Sequence, residues 1–111
     1  MQPVSIRTFL EEFQKGAAAF DTRPLALYAA DGLPGLRHLG LEAVQAGNLP
    51  DVPKELPIYL ICEKGLVSEL VGLYLEAAGF EHVFNVEGGM QALRSSKNRP
   101  QQRSASRKID E

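Results

Sequence analysis

The sequence predicts a single α/β domain, with a mostly parallel sheet of about four to five strands flanked by helices. Three observations lead there. At 111 residues the chain is long enough for one core and too short for two. Its apolar segments alternate between strand-like and helix-like patterns, joined by short turns rich in Gly and Pro. The sharpest alternation lies in Pro57–Ser68, where the run Ile58-Tyr59-Leu60-Ile61 ends on Cys62, passes through Glu63-Lys64-Gly65 and opens a helical pattern.

Taken in order, Ile6, Phe9, Leu10 and Phe13 are spaced i, i+3, i+4, i+7, which predicts a short amphipathic helix that Ser5 caps and Gly16 ends. Ala18 to Thr22 reads as a buried strand with a polar C-terminal end, although alanine runs also suit helices. Pro24 suits the first turn of a helix through Tyr28, and Asp31-Gly32-Leu33-Pro34-Gly35 is a turn cluster. A brief strand at Leu36 to Leu41 and a helical turn at Glu42 to Ala46 follow, and then an extended, proline-marked loop through Pro53. After the strand before Cys62, residues Val67, Leu70, Val71, Tyr74, Leu75 and Ala78 are spaced as one helical face, and Gly79 stands where a left-handed cap belongs. His82 to Val86 is the next strand; Glu87-Gly88-Gly89 turns the chain, and Met90 opens a last helix. The domain is expected over residues 1–94. Residues 95–111 form a basic tail without an apolar face, expected to be disordered.

The net charge of −2 conceals an asymmetry. Residues 1–93 carry 6 Lys and Arg against 12 Asp and Glu, and residues 94–111 carry 6 against 2. An acidic body argues against a folded surface that grips nucleic acid, while the tail's charge permits an acidic or RNA partner. No apolar run approaches the roughly 18–20 residues of a membrane span. The N-terminus lacks a signal-peptide pattern, and the single cysteine cannot form an internal disulfide, so a cytoplasmic protein is expected. His38 and His82 show no metal-ligand spacing and read as solvated or capping residues; no metal site is expected.

A cysteine between a strand and a helix N-terminus has chemical consequences. The first turn of a helix offers unpaired N–H groups and the positive end of the macrodipole, which favour a thiolate and can hold an oxyanion before it. The thiolate is the nucleophilic form of a side chain whose ordinary pKa is about 8.5. Lys64 adds a cation that Glu63 offsets. The residues leave a second reading open, in which Cys62 is a small buried apolar side chain. Ligands of parallel α/β sheets bind at the carboxyl ends of strands; Cys62 and Asp21 both stand at such ends, which favours the nucleophile.

Four segments, in order and spacing, resemble the rhodanese family of single-domain sulfurtransferases over roughly residues 4–93. Asp21-Thr22-Arg23 resembles the family's Asp-x-Arg, and Leu33-Pro34-Gly35-Leu36-Arg37-His38 its Ile-Pro-Gly-Ala-x-His segment. Cys62-Glu63-Lys64-Gly65-Leu66-Val67-Ser68 resembles the active-site loop Cys-x-x-Gly-x-Arg followed by a small residue. Ala78 to Val83 and Glu87-Gly88-Gly89-Met90 are similar to the closing strand and Gly-Gly turn. The resemblance implies that Cys62 takes a sulfane sulfur from thiosulfate or a persulfide donor and passes it to a thiophilic acceptor. It places the anion and the persulfide on the backbone amides of Glu63, Lys64, Gly65, Leu66, Val67 and Ser68, gives Asp21 and Arg23 a supporting role, and implies no cofactor. The partners implied are a small-molecule or protein donor and a thiol acceptor.

Departures from the family pattern shape the expectation. Val67 stands where most members have arginine, which weakens chelation of sulfonate oxygens; Glu63 is expected to repel a dianion. Asp31-Gly32 replaces a common Gly-His. Poor turnover of thiosulfate is therefore expected, with preference for a persulfide or protein donor. The competing reading is a weak or inactive rhodanese-like interaction module. Phosphatase or arsenate-reductase chemistry is disfavoured, since the arginine it needs six residues after the cysteine is Ser68 here.

Overall fold

A computed structural model describes residues 1–98; the expected tail from residue 99 onward lies outside the described residues. Five strands form one sheet in the order β1-β5-β4-β2-β3, and every neighbouring pair is parallel. The strands are β1 Gln2–Val4, β2 Ala18–Asp21, β3 Arg37–His38, β4 Ile58–Ile61 and β5 Val83–Val86. The helices are α1 Ile6–Gln14, α2 Leu25–Asp31, α3 Leu41–Gln45, α4 Leu66–Ala77 and α5 Gly89–Asn98. No helix of the described residues is long and apolar enough to cross a membrane.

β4 is the axis of the fold. It pairs with β2 on one side and β5 on the other, and all four of its residues are buried, as expected for a central parallel strand covered on both faces. Alternation divides them. Ile58 and Leu60 face the layer of α3 and α4, packing with Phe20, Val44, Val71, Leu75 and Val83. Tyr59 and Ile61 face α1 and α5, packing with Phe9, Ala19, Val86, Met90 and Leu93. The C-terminal end of β4 consequently opens between two helical layers, and Cys62 is the next residue.

Most expected elements form near their expected bounds. Ser5 caps α1 by accepting the Thr8 amide hydrogen on Oγ at 3.0 Å. The Ala18 run is a strand because both its faces are covered, which overrides alanine's helix propensity. Three features differ. β1 went unread: it is a three-residue edge strand carrying a proline, a place where the missing N–H costs little. The last helix runs through Asn98, four residues past the expected domain end.

The third difference is the orientation of α4. Its buried residues are Ser68, Val71, Gly72 and Leu75, whereas Val67, Leu70 and Tyr74 of the expected stripe are 36%, 48% and 43% exposed. The helix is turned so that its small residues meet the sheet; an apolar-spacing rule counts neither Ser68 nor Gly72. Leu75→Ala is therefore expected to cost about 2–5 kcal/mol in urea unfolding. Leu73→Ala, at a 54% exposed position, should stay within about 0.5 kcal/mol; equal losses would contradict this orientation.

Candidate active site

Cys62 is 2% exposed, but its surroundings are polar rather than hydrocarbon. The Gly65 amide donates to Sγ at 3.1 Å and the Ser68 amide at 3.4 Å. Gly65 is the N-cap residue of α4, held at φ +104°, a conformation that glycine adopts without penalty. Having no side chain, it leaves the helix uncapped from its own position. The cysteine sulfur takes the place of a capping acceptor, satisfying the third amide of the helix.

Ser68 also brings its hydroxyl to 3.3 Å from Sγ. The same Oγ donates to Asn85 Oδ1 at 2.6 Å, and Asn85 Nδ2 donates to the Gly65 carbonyl at 2.9 Å. Burial pushes the Cys62 thiol up; the Ser68 hydroxyl, when its proton turns to the sulfur, and the amides of Ser68, Gly65 and Lys64 pull it down, and the net direction is down. Lys64 acts through its backbone here. Its ammonium is not among the causes.

The other side of the loop is held by α5. The Met90 amide donates to the Cys62 carbonyl at 2.7 Å and the Gln91 amide to the Glu63 carbonyl at 3.1 Å. Gly89 makes this approach possible: a Cβ there would overlap the Cys62 carbonyl oxygen and stand 2.8 Å from the Glu63 carbonyl carbon.

Asp21 and Arg23 lie apart from the sulfur, both buried. Arg23 clasps Asp21 through Nε at 3.1 Å and Nη2 at 2.9 Å. Its Nη1 reaches Asp31 Oδ1 at 2.8 Å and Glu63 Oε1 at 3.6 Å. Arg94 of α5 completes the network, pairing with both Glu63 oxygens and with Asp31 Oδ2 at 3.1 Å. The charge of Glu63 is thus met by two guanidiniums, which it shares with Asp21 and Asp31. Asp31, a departure from the family pattern, is a member of this network. His38, expected to be solvated or capping, packs on Tyr28 and donates from Nε2 to the Arg23 carbonyl at 2.7 Å, steadying the segment that carries the arginine.

Of the seven expected loop residues, Cys62, Gly65 and Ser68 converge on the sulfur, Glu63 faces the ion-pair network, and Lys64, Leu66 and Val67 are exposed at the rim. Asn85 and Arg94 were missed. The signal for Asn85 was a polar residue on the same strand face as the core residue Val83. Arg94 gave none, because its partners are 31 and 63 residues away.

A model of the rhodanese-like domain matches residues 5–96. The chain belongs to the rhodanese-like family. A thiosulfate sulfurtransferase, GlpE, from Pseudomonas putida is 31% identical over 83 residues, covering 75% of this chain and 74% of the relative. The adenylyltransferase and sulfurtransferase uba4 of Ogataea parapolymorpha is 34% identical over 69% of this chain but only 20% of its own length. Among solved structures, a rhodanese homolog from Thermus thermophilus is 34% identical, with a TM-score of 0.63 over 82% of this chain and 99% of that one. A rhodanese-like domain protein from Staphylococcus aureus reaches a TM-score of 0.73 at 26% identity, over 83% and 90% of the chains. The rhodanese-like fold thus recurs in related proteins.

The ion-pair network predicts acid sensitivity. Arg94 holds the Glu63 carboxyl below its usual range, and Arg23, then Arg94, do the same for Asp31. A carboxyl lowered on folding contributes stability above its unfolded pKa and loses it as pH falls through the folded value. Urea midpoints measured from about pH 7 down to about pH 3 should therefore fall below roughly pH 4, and Arg94→Met should flatten that fall. An unchanged pH profile in Arg94→Met would detach the network from stability.

Proposed function

We propose that this rhodanese-like protein is a sulfurtransferase that carries a sulfane sulfur on Cys62 as a persulfide. The observation supporting it is the sulfur's position: it is met by two backbone amides at the head of α4, where a thiolate or persulfide is favoured. The thiolate attacks the outer sulfur of the donor. A Cys62 Sγ–S bond forms as the donor's bond to that sulfur breaks, and the donor remnant leaves with the electron pair, as sulfite if the donor is thiosulfate. An acceptor thiolate then attacks the outer sulfur, and Cys62 is released as thiolate. The amides of Leu66 and Val67, the first two of α4, have no intrahelical acceptor and are suited to donor oxygens.

The rim shapes donor choice. Leu66 and Val67 are 69% and 36% exposed and offer hydrocarbon where the family's loop arginine would bind a sulfonate. A persulfide or protein donor fits this mouth better than a free dianion. The acceptor is of the thiol class, and no organic cofactor or metal enters the cycle.

Intact-mass measurement after incubation with thiosulfate or a persulfide donor should show a gain of one sulfur atom, abolished in Cys62→Ser. An unchanged mass with every donor would instead support a non-enzymatic interaction module. Val67→Arg should raise kcat/KM for thiosulfate by roughly tenfold or more, the worth of one charge-assisted contact. No change would mean that the donor anion does not sit over the first turn of α4.

A further inference from the structure

We propose that Asn85 is a positioning residue that restrains ionisation of Cys62 by drawing the Ser68 hydroxyl proton away from the sulfur. This deepens the sulfurtransferase reading and rests on it only for its consequence, since the ionisation itself is measurable without any sulfur donor.

The Ser68 hydroxyl is fully buried and carries one proton. Two acceptors compete for it, Asn85 Oδ1 at 2.6 Å and Cys62 Sγ at 3.3 Å. The orientation of the Asn85 amide follows from its other bond: Nδ2 donates to the Gly65 carbonyl at 2.9 Å, and a flipped amide would set two oxygens against each other. Oδ1 therefore faces Ser68. The shorter contact takes the proton, and the remaining lone pairs of Oγ face the sulfur.

This arrangement suits a thiol. The Cys62 S–H donates to Ser68 Oγ, whose O–H donates to Asn85 Oδ1, and every polar atom of the chain is paired. Ionisation disturbs it. When the thiol proton leaves to solvent, the Ser68 O–H either keeps donating to Asn85 Oδ1, leaving an oxygen lone pair against the thiolate, or swings to the sulfur and leaves Oδ1 unpaired. Each outcome forfeits a buried hydrogen bond. The amides of Gly65 and Ser68 favour the thiolate throughout, so Asn85 acts against a background that already lowers the pKa. In the persulfide form Sγ has no proton to hold, and the restraint falls on the free cysteine alone. The charged groups on the surrounding elements are Glu63 and Lys64 on the loop, Asp21 at the end of β2 and Arg23 after it, Asp31 of α2, Glu69 of α4, Glu87 after β5 and Arg94 of α5. All are common to the variants below.

The test is the pH dependence of Cys62 alkylation by iodoacetamide in the full chain, comparing Asn85→Leu, Ser68→Ala and the double variant. Removing the competing acceptor should lower the midpoint of Asn85→Leu by roughly one pH unit, a tenfold gain in thiolate at a given pH below the midpoint. Asn85→Leu should then have no effect in the Ser68→Ala background. A midpoint that rises or stays unchanged in Asn85→Leu would mean that Asn85 merely holds the loop through Gly65, and would overturn the proposal. So would an equal shift in both backgrounds. If Asn85→Leu does not fold, Asn85→Asp serves: its carboxylate binds the Ser68 proton more firmly, and the midpoint should rise further with Ser68 present than with Ser68→Ala. Equal rises, reporting charge alone, would overturn it as well. Failure of persulfide formation with these midpoints intact would refute the sulfurtransferase reading and leave the Asn85 restraint standing.

Discussion

The organising constraint is that one sulfur atom serves as the cap of a helix. α4 begins at a glycine with no side chain to satisfy the amides that follow, and the residue ending the central strand supplies the acceptor. Sγ accepts from Gly65 and Ser68, so the junction of β4 and α4 and the ionisation of the thiol are the same interaction seen from two sides. Stabilising the helix start and stabilising a negative sulfur require the same donors. That coupling ties the ionisation of one side chain to the start of the helix that follows it.

Everything nearby keeps this junction in place. α5 holds the Cys62 and Glu63 carbonyls with its first amides, which only a glycine at position 89 permits. Arg23 and Arg94 hold the Glu63 carboxylate from two further elements. Arg23 is itself fixed by Asp21, Asp31 and the backbone bond from His38. A buried arginine is costly unless its donors are paired, and here its carboxylate partners come from the end of β2, the end of α2 and the active-site loop. Asp21 and Arg23, expected in a supporting role, meet the loop through the pairing of Arg23 with Glu63.

Burial of Cys62 bears on donor chemistry. The sulfur lies beneath a rim of Lys64, Leu66 and Val67, and the two apolar members continue into exposed Leu70, Leu73 and Tyr74 along α4. Half of the helical stripe expected to face the core, Val67, Leu70 and Tyr74, lies on this outer surface. Its buried counterpart is Ser68, Val71, Gly72 and Leu75, and at Gly72 the missing side chain makes room for Met1. Were α4 turned to bury Leu70 and Tyr74, Ser68 could not reach the sulfur.

By itself the sequence determined what depends on neighbours along the chain. The alternation of elements, the Ser5 cap, the left-handed glycine at 79 and the strand–cysteine–helix order are set by local backbone preference and periodicity, and all were legible. So were Cys62, Gly65 and Ser68, which lie within seven consecutive positions. Only the tertiary structure decided which face of α4 is buried, that His38 braces Arg23, and that Asn85 and Arg94 belong to the site. Asn85 meets Ser68 from 17 residues away and Arg94 meets Asp31 from 63. Such pairings arise from strand order and helix placement, and no local propensity encodes a hydrogen bond whose two ends are brought together only when the sheet closes.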